Sequence, residues 1–204
     1  MFAQFCIRLF YELGRPTIRA LASVGAALVP RPLSAISFDK HLAADGGAYS
    51  PPPIALLHGT HDPIIPFRGG DGALLTLRLP WLDSFKWQIG KRGRHLSARE
   101  TARLIARDFE TRRSSLGGEA HDEMQETKLE QGAASITDYV LSGRAVVRAC
   151  ALNGEGHRFS HALTEGASET CPLAYGRRSE QLDAVSLILD FWRLDDDGTL
   201  DLLP

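Results

Sequence analysis

Four consecutive apolar residues, Ile54-Ala55-Leu56-Leu57, stand between a triple proline, Pro51-Pro52-Pro53, and the polar run His58-Gly59-Thr60-His61-Asp62-Pro63. A run this short and this apolar is too brief for a helix and offers no polar face, so it reads as a strand buried on both sides. Such strands belong to parallel sheets covered by helices. Polar residues at the carboxyl end of such a strand occupy the position where open α/β sheets place their sites. The prolines stiffen the approach, and Arg68-Gly69-Gly70-Asp71-Gly72 gives a flexible exit.

The flanking segments alternate in the same sense. Phe2 to Leu13 is apolar nearly all round and stops at Gly14-Arg15-Pro16, which predicts a buried helix closed by glycine and proline. That helix has no Ser, Thr, Asp or Asn to cap its first amides. Arg19 to Val29 predicts a buried strand running into a loop at Pro30 and Pro32, and residues 31 to 53 are loop-rich. An alternative reads residues 1 to 38 as a targeting segment, since Arg8, Arg15, Arg19 and Arg31 accompany the single acid Glu12; the apolar stretch precedes most of these arginines, the reverse of a signal peptide. Ser97 to Arg112 has a capping box, Ser97 and Glu100, and apolar residues at helical spacing. Residues 113 to 135 are polar and read as a surface excursion. Ser135 to Leu141 and Ala145 to Leu152 predict strands joined by a tight connection at Ser142-Gly143-Arg144. Ser179 to Leu194 predicts a last helix with Leu182, Val185, Ser186, Leu189 and Trp192 on one face, followed by an acidic tail over 195 to 204. The order predicts an α/β fold with a mostly parallel sheet and flanking helices.

Composition narrows the partners. The 204 residues carry 23 Lys and Arg against 25 Asp and Glu, and this balance gives no electrostatic reason to expect nucleic acid or an anionic membrane surface. No stretch reaches the roughly 18 consecutive apolar residues of a membrane span. Cys6, Cys150 and Cys171 form no CxxC pair; a Cys150–Cys171 bridge and buried free thiols are the two alternatives.

Two polar residues follow buried strands. Asp62 sits in a turn whose glycine and proline can hold a carboxylate at the end of the sheet, although an Asp before Pro also commonly caps its own loop. His157 follows the strand ending at Leu152, in Gly154-Glu155-Gly156-His157, where small residues allow a ring to approach another loop. An acid followed in the chain by a histidine is the second half of the Ser, Asp, His order of α/β-hydrolases. In that chemistry the aspartate orients the imidazole, and the imidazole takes and returns the serine proton.

The run Pro53 to Phe67, with Gly69-Gly70 beyond it, resembles the acid-bearing segment of the polyhydroxybutyrate depolymerase-like esterases, a family that includes feruloyl and acetylxylan esterases. Gly154-Glu155-Gly156-His157 is similar to that family's Gly-Gly-Gly-His segment. The Trp-Pro-Gly that follows there is Arg158-Phe159-Ser160-His161 here, which leaves His157 and His161 as alternatives for the base, with His157 favoured by its glycines. The helix from Asp183-Ala184-Val185 to Phe191-Trp192 resembles the family's last helix. The resemblance implies a partial α/β-hydrolase fold over residues 1 to 194, an ester substrate, no metal or organic cofactor, and frequent export from the cell.

The nucleophile is the missing part. Acyl transfer of this kind needs a Gly-x-Ser-x-Gly elbow upstream of the acid, and the sequence has none. Leu21-Ala22-Ser23-Val24-Gly25 lacks the first glycine; Gly166-Ala167-Ser168-Glu169-Thr170 lacks the last and follows the histidine. Cys6 lies in an apolar helix rather than on an elbow. Met1-Phe2-Ala3-Gln4-Phe5 resembles the start of the family's helix just after the elbow. The expectation is therefore a carboxyl-terminal part of a serine esterase, its first strands and serine lying ahead of Met1, inactive by itself. The competing expectation is a non-catalytic α/β protein that self-associates or binds a partner through the sheet edge those strands would cover.

Overall fold

The computed structural model describes residues 6–7, 9–10, 18–25, 27–28, 51–62, 64–70, 95–115, 123–157 and 183–192. Among them lie strands β1 (Leu21–Val24), β2 (Ile54–Gly59), β3 (Gln125–Gln131), β4 (Ala134–Leu141) and β5 (Arg144–Leu152), and helices α1 (Ala98–Ser115) and α2 (Ala184–Trp192). The strands form one sheet in the order β1-β2-β5-β4-β3.

The fold is α/β, but the sheet is mixed rather than mostly parallel. β1, β2 and β5 run parallel, with Leu21 opposite Ile54 and Ile54 opposite Val147. β5, β4 and β3 are antiparallel neighbours. The reason is local: Ser142 and Gly143 are the whole loop between β4 and β5, both at positive φ (53° and 74°). Two such residues make the primed turn whose twist matches a hairpin, and a two-residue loop can join only antiparallel strands.

β3 gives a structure to part of the polar surface stretch over 113 to 135, which the sequence left open. Its residues, Gln-Glu-Thr-Lys-Leu-Glu-Gln, are all exposed, so no alternation marks them in the sequence. The strand exists through its backbone pairing with β4. Its charges suit an outer strand, since Glu126 pairs with Arg99 and Arg103 of α1 and discourages edge-to-edge pairing.

The helices cover opposite faces of the sheet. α1 starts on the expected capping box: Glu100 N–H donates to Ser97 Oγ, and Ser97 N–H donates to Glu100 Oε2. Its stripe of Ala102, Ile105, Ala106 and Phe109 packs on Ile54, Leu56 and Val147, along with Ile7 and Phe10. The last two residues are helical, and the rest of the expected helix over 2 to 13 lies outside the described residues, apart from Cys6 and Leu9. Each large side chain fully buried here contributes about 1.5–3 kcal/mol.

α2 packs on the other face through Ala184, Leu187, Ile188 and Phe191, against Ala55, Leu57, Ile136, Cys150 and Leu152. This overturns the expected face: Ser186 and Leu189 point to solvent, and Leu182 is outside the described residues. The helix begins after Asp183, whose carboxylate accepts from Val185 N–H and the Ser186 hydroxyl, so the stripe is counted from Ala184. One charge sits among these apolar residues. Arg148 is held by two hydrogen bonds to Asp138, opposite it on β4, and its guanidinium lies 4.8 Å from the Phe191 ring centroid.

Candidate active site

Because β1, β2 and β5 are parallel, their carboxyl ends open onto one edge of the sheet. Three loops leave there: the turn at Gly25, the run Thr60 to Asp62, and the run Asn153 to His157. The last two are tied by backbone hydrogen bonds, from Thr60 N–H to the Leu152 carbonyl and from His61 N–H to the Glu155 carbonyl. Gly154 N–H adds a bond to Thr60 Oγ1. Gly59 permits this approach, since a Cβ there would lie 2.2 Å from the Gly156 carbonyl oxygen. Gly25, at φ +62°, does the same for a ring: a Cβ there would stand 3.0 Å from Cε1 and Nδ1 of His157.

These contacts place Asp62 against His157. Asp62 Oδ2 and His157 Nδ1 are 2.7 Å apart, across 95 positions of sequence. The aspartate side chain is fully buried, whereas a quarter of the His157 side chain is exposed. Asp62 Oδ1 accepts from the Ile64 and Ile65 amides at 2.8 and 2.9 Å. One Asp62 oxygen therefore caps its own turn while the other faces the imidazole.

Burial by itself would raise the Asp62 pKa. Hydrogen bonds from His157, His58 and Ile65 N–H, with the charge interaction with His157, outweigh it and hold the carboxyl well below the usual carboxylate range. An ionised carboxylate only accepts, so His157 Nδ1 carries the proton toward it. That leaves the lone pair on Nε2, the arrangement a general base requires.

His58, one residue from the end of β2, is a neighbour that the acid-then-base order does not point to. It is 2% exposed, donates from Nε2 to the Ile65 carbonyl at 2.8 Å, and has the same nitrogen 3.3 Å from Asp62 Oδ2. Its one signal in the sequence is its spacing, four residues before the acid on a strand end.

The other sequence candidates fall out differently. Ser23 is an interior residue of β1 paired with Leu56 and almost fully buried, so it is on no strand-to-helix elbow. His161, Ser168 and Cys171 lie outside the described residues. Cys150 is a free buried thiol, not a disulfide partner, and burial pushes its pKa up to about 12. Cys6 is free and lies in a helical segment. Among the described residues no group of three His, Cys, Asp or Glu side chains is placed to share a metal ion, and no helix is long and apolar enough to cross a membrane. No protein-family model and no curated protein matches the chain.

Proposed function

We propose that Asp62 and His157 are the acid and base of a serine-type carboxylic ester hydrolase built on a partial α/β-hydrolase fold. The observation that carries the reading is the 2.7 Å contact between a fully buried carboxylate and a partly exposed imidazole, at the carboxyl ends of parallel strands. Acid and base occur in the chain order of that enzyme class.

In the reaction, His157 Nε2 takes the proton of a serine hydroxyl as its oxygen bonds to the ester carbonyl carbon. Asp62 stabilises the resulting imidazolium without taking its proton. The imidazolium then protonates the departing alcohol, leaving an acyl-enzyme, and water repeats the sequence to release the acid. The chemistry requires no metal or organic cofactor. The substrate is an ester, by resemblance a polyester or a plant cell-wall ester, and the resemblance also points to an extracellular enzyme.

The sequence holds no Gly-x-Ser-x-Gly, so the 204 residues alone are expected to be inactive. Two preparations test this with p-nitrophenyl esters. The chain by itself is expected to hydrolyse them no faster than its His157→Ala variant; hydrolysis that His157→Ala abolishes would show a nucleophile within it. A form extended through in-frame codons ahead of Met1, if these encode the elbow, is expected to be active and to lose about 10³–10⁴-fold in kcat on Asp62→Asn. No hydrolysis by an elbow-bearing form overturns the ester reading.

A second reading rests on the outer edge of β1, which pairs only with β2 among the described residues. An open edge invites pairing, so a non-catalytic relative of the fold would self-associate there. Light scattering on the purified chain decides between a stable monomer, which removes this reading, and a discrete oligomer, which favours it.

A further inference from the structure

We propose that His58 is a positioning residue for this pair: its Nε2–H gives the Asp62 carboxylate a fourth donor and aims Oδ2 at His157. The inference rests on the reading of Asp62 and His157 as an acid–base pair. It adds a residue that neither the acid-then-base order nor the elbow chemistry contains.

The proton on Nε2 is fixed by chemistry, because the Ile65 carbonyl 2.8 Å away can only accept. The same nitrogen is 3.3 Å from Asp62 Oδ2, close enough for that proton to serve the carboxylate as well. The other ring nitrogen, Nδ1, is buried and without a hydrogen-bond partner among the described residues. A ring serving only to fill space would be better apolar, since an unpartnered buried nitrogen costs free energy that a phenyl or isobutyl group does not. The polar anchoring of His58 therefore runs wholly through Nε2.

Position explains the use. Ile64 and Ile65 amides pin Oδ1, but without His58 the only partner of Oδ2 among the described residues is His157, which is itself on a loop and partly exposed. His58 belongs to β2, hydrogen-bonded to strands on both sides, and its ring meets Phe67 edge-on at 5.8 Å. It is the rigid reference for that oxygen. At 2% exposure it is too buried to touch a substrate, so it acts through Asp62 and is not itself catalytic.

Two variants separate donor from filler. His58→Phe keeps a ring of similar size and the edge contact with Phe67 but has no N–H; His58→Gln keeps an N–H donor without the ring. The readout is the proton NMR signal of His157 Nδ1–H, which a short bond to a carboxylate moves far downfield and protects from exchange. It requires no nucleophile. In His58→Phe the signal is expected to move upfield and exchange with water about tenfold faster, the worth of one hydrogen bond to a charged group. His58→Gln is expected to stay near the wild type, and His58→Leu repeats the test if the His58→Phe variant does not fold.

An unchanged signal in His58→Phe overturns the inference, as does His58→Gln failing as badly as His58→Phe. If the wild type lacks the signal, or Asp62→Asn leaves it in place, the acid–base pair itself fails and the role of His58 with it. If the signal behaves as described and no elbow-bearing form hydrolyses esters, only the ester reading falls. In an active form, His58→Phe is expected to lower kcat about tenfold at unchanged KM.

Discussion

Asp62→Asn is expected to destabilise the folded chain by about 1–3 kcal/mol, read as a fall in the urea midpoint, the cost of leaving buried donors without the acceptor they face. The volume is unchanged, so the effect isolates the polar pattern. The amide has one oxygen where the carboxylate has two, and its NH₂ must face donors either way round. Turned inward, it opposes the Ile64 and Ile65 amides; turned outward, it opposes His58 Nε2–H and forces His157 to accept at Nδ1. The second choice moves the His157 proton to Nε2 and removes the base.

The same substitution has a defined pH dependence. The folded-state pKa of Asp62 lies below its ordinary 3.8, so its charge contributes stability that is present above that value and lost as the pH falls through the folded value. The carboxyl's own contribution to the gap between wild type and Asp62→Asn is therefore expected to be lost only below the usual carboxylate range. Urea unfolding at a series of pH values measures it, and its loss already at mildly acid pH would show a carboxyl that is not held ionised.

Gly59→Ala is expected to cost about 4 kcal/mol or more, at the upper end of what single substitutions do. Its Cβ would lie 2.2 and 2.4 Å from the Gly156 and Glu155 carbonyl oxygens, so backbone has to move. Neither side yields cheaply, because both loops are already bonded to each other through Thr60 and His61. The loss should appear twice, in the urea midpoint and in the His157 Nδ1–H signal. Gly154→Ala is the control: φ is +79°, but nothing lies within 4 Å of a Cβ, and about 1 kcal/mol is expected. Equal losses at the two glycines would mean that backbone conformation, not the close approach, sets the cost.

What is legible in the sequence is whatever one burial pattern or one short spacing encodes. β2 announces itself as four apolar residues between prolines and a polar turn, α1 by its capping box, and the β4–β5 hairpin by Ser142-Gly143. The pairing of Asp62 with His157 is legible because each follows a strand buried enough to recognise. β3 is illegible, since a strand exposed along its whole length has no hydrophobic period. The face of α2 is misplaced because several apolar residues crowd its nine positions, and the cap at Asp183, not apolarity alone, sets the stripe. His58 is hidden for a different reason: its role depends on where the turn through Ile65 folds back, a distance no spacing reports.

The four donors around Asp62 have a consequence for proton traffic. With each oxygen facing two N–H groups and the side chain shut off from solvent, no water can relay a proton to the carboxylate directly. Among the described residues, the exposed flank of His157 is the route by which the pair meets the medium.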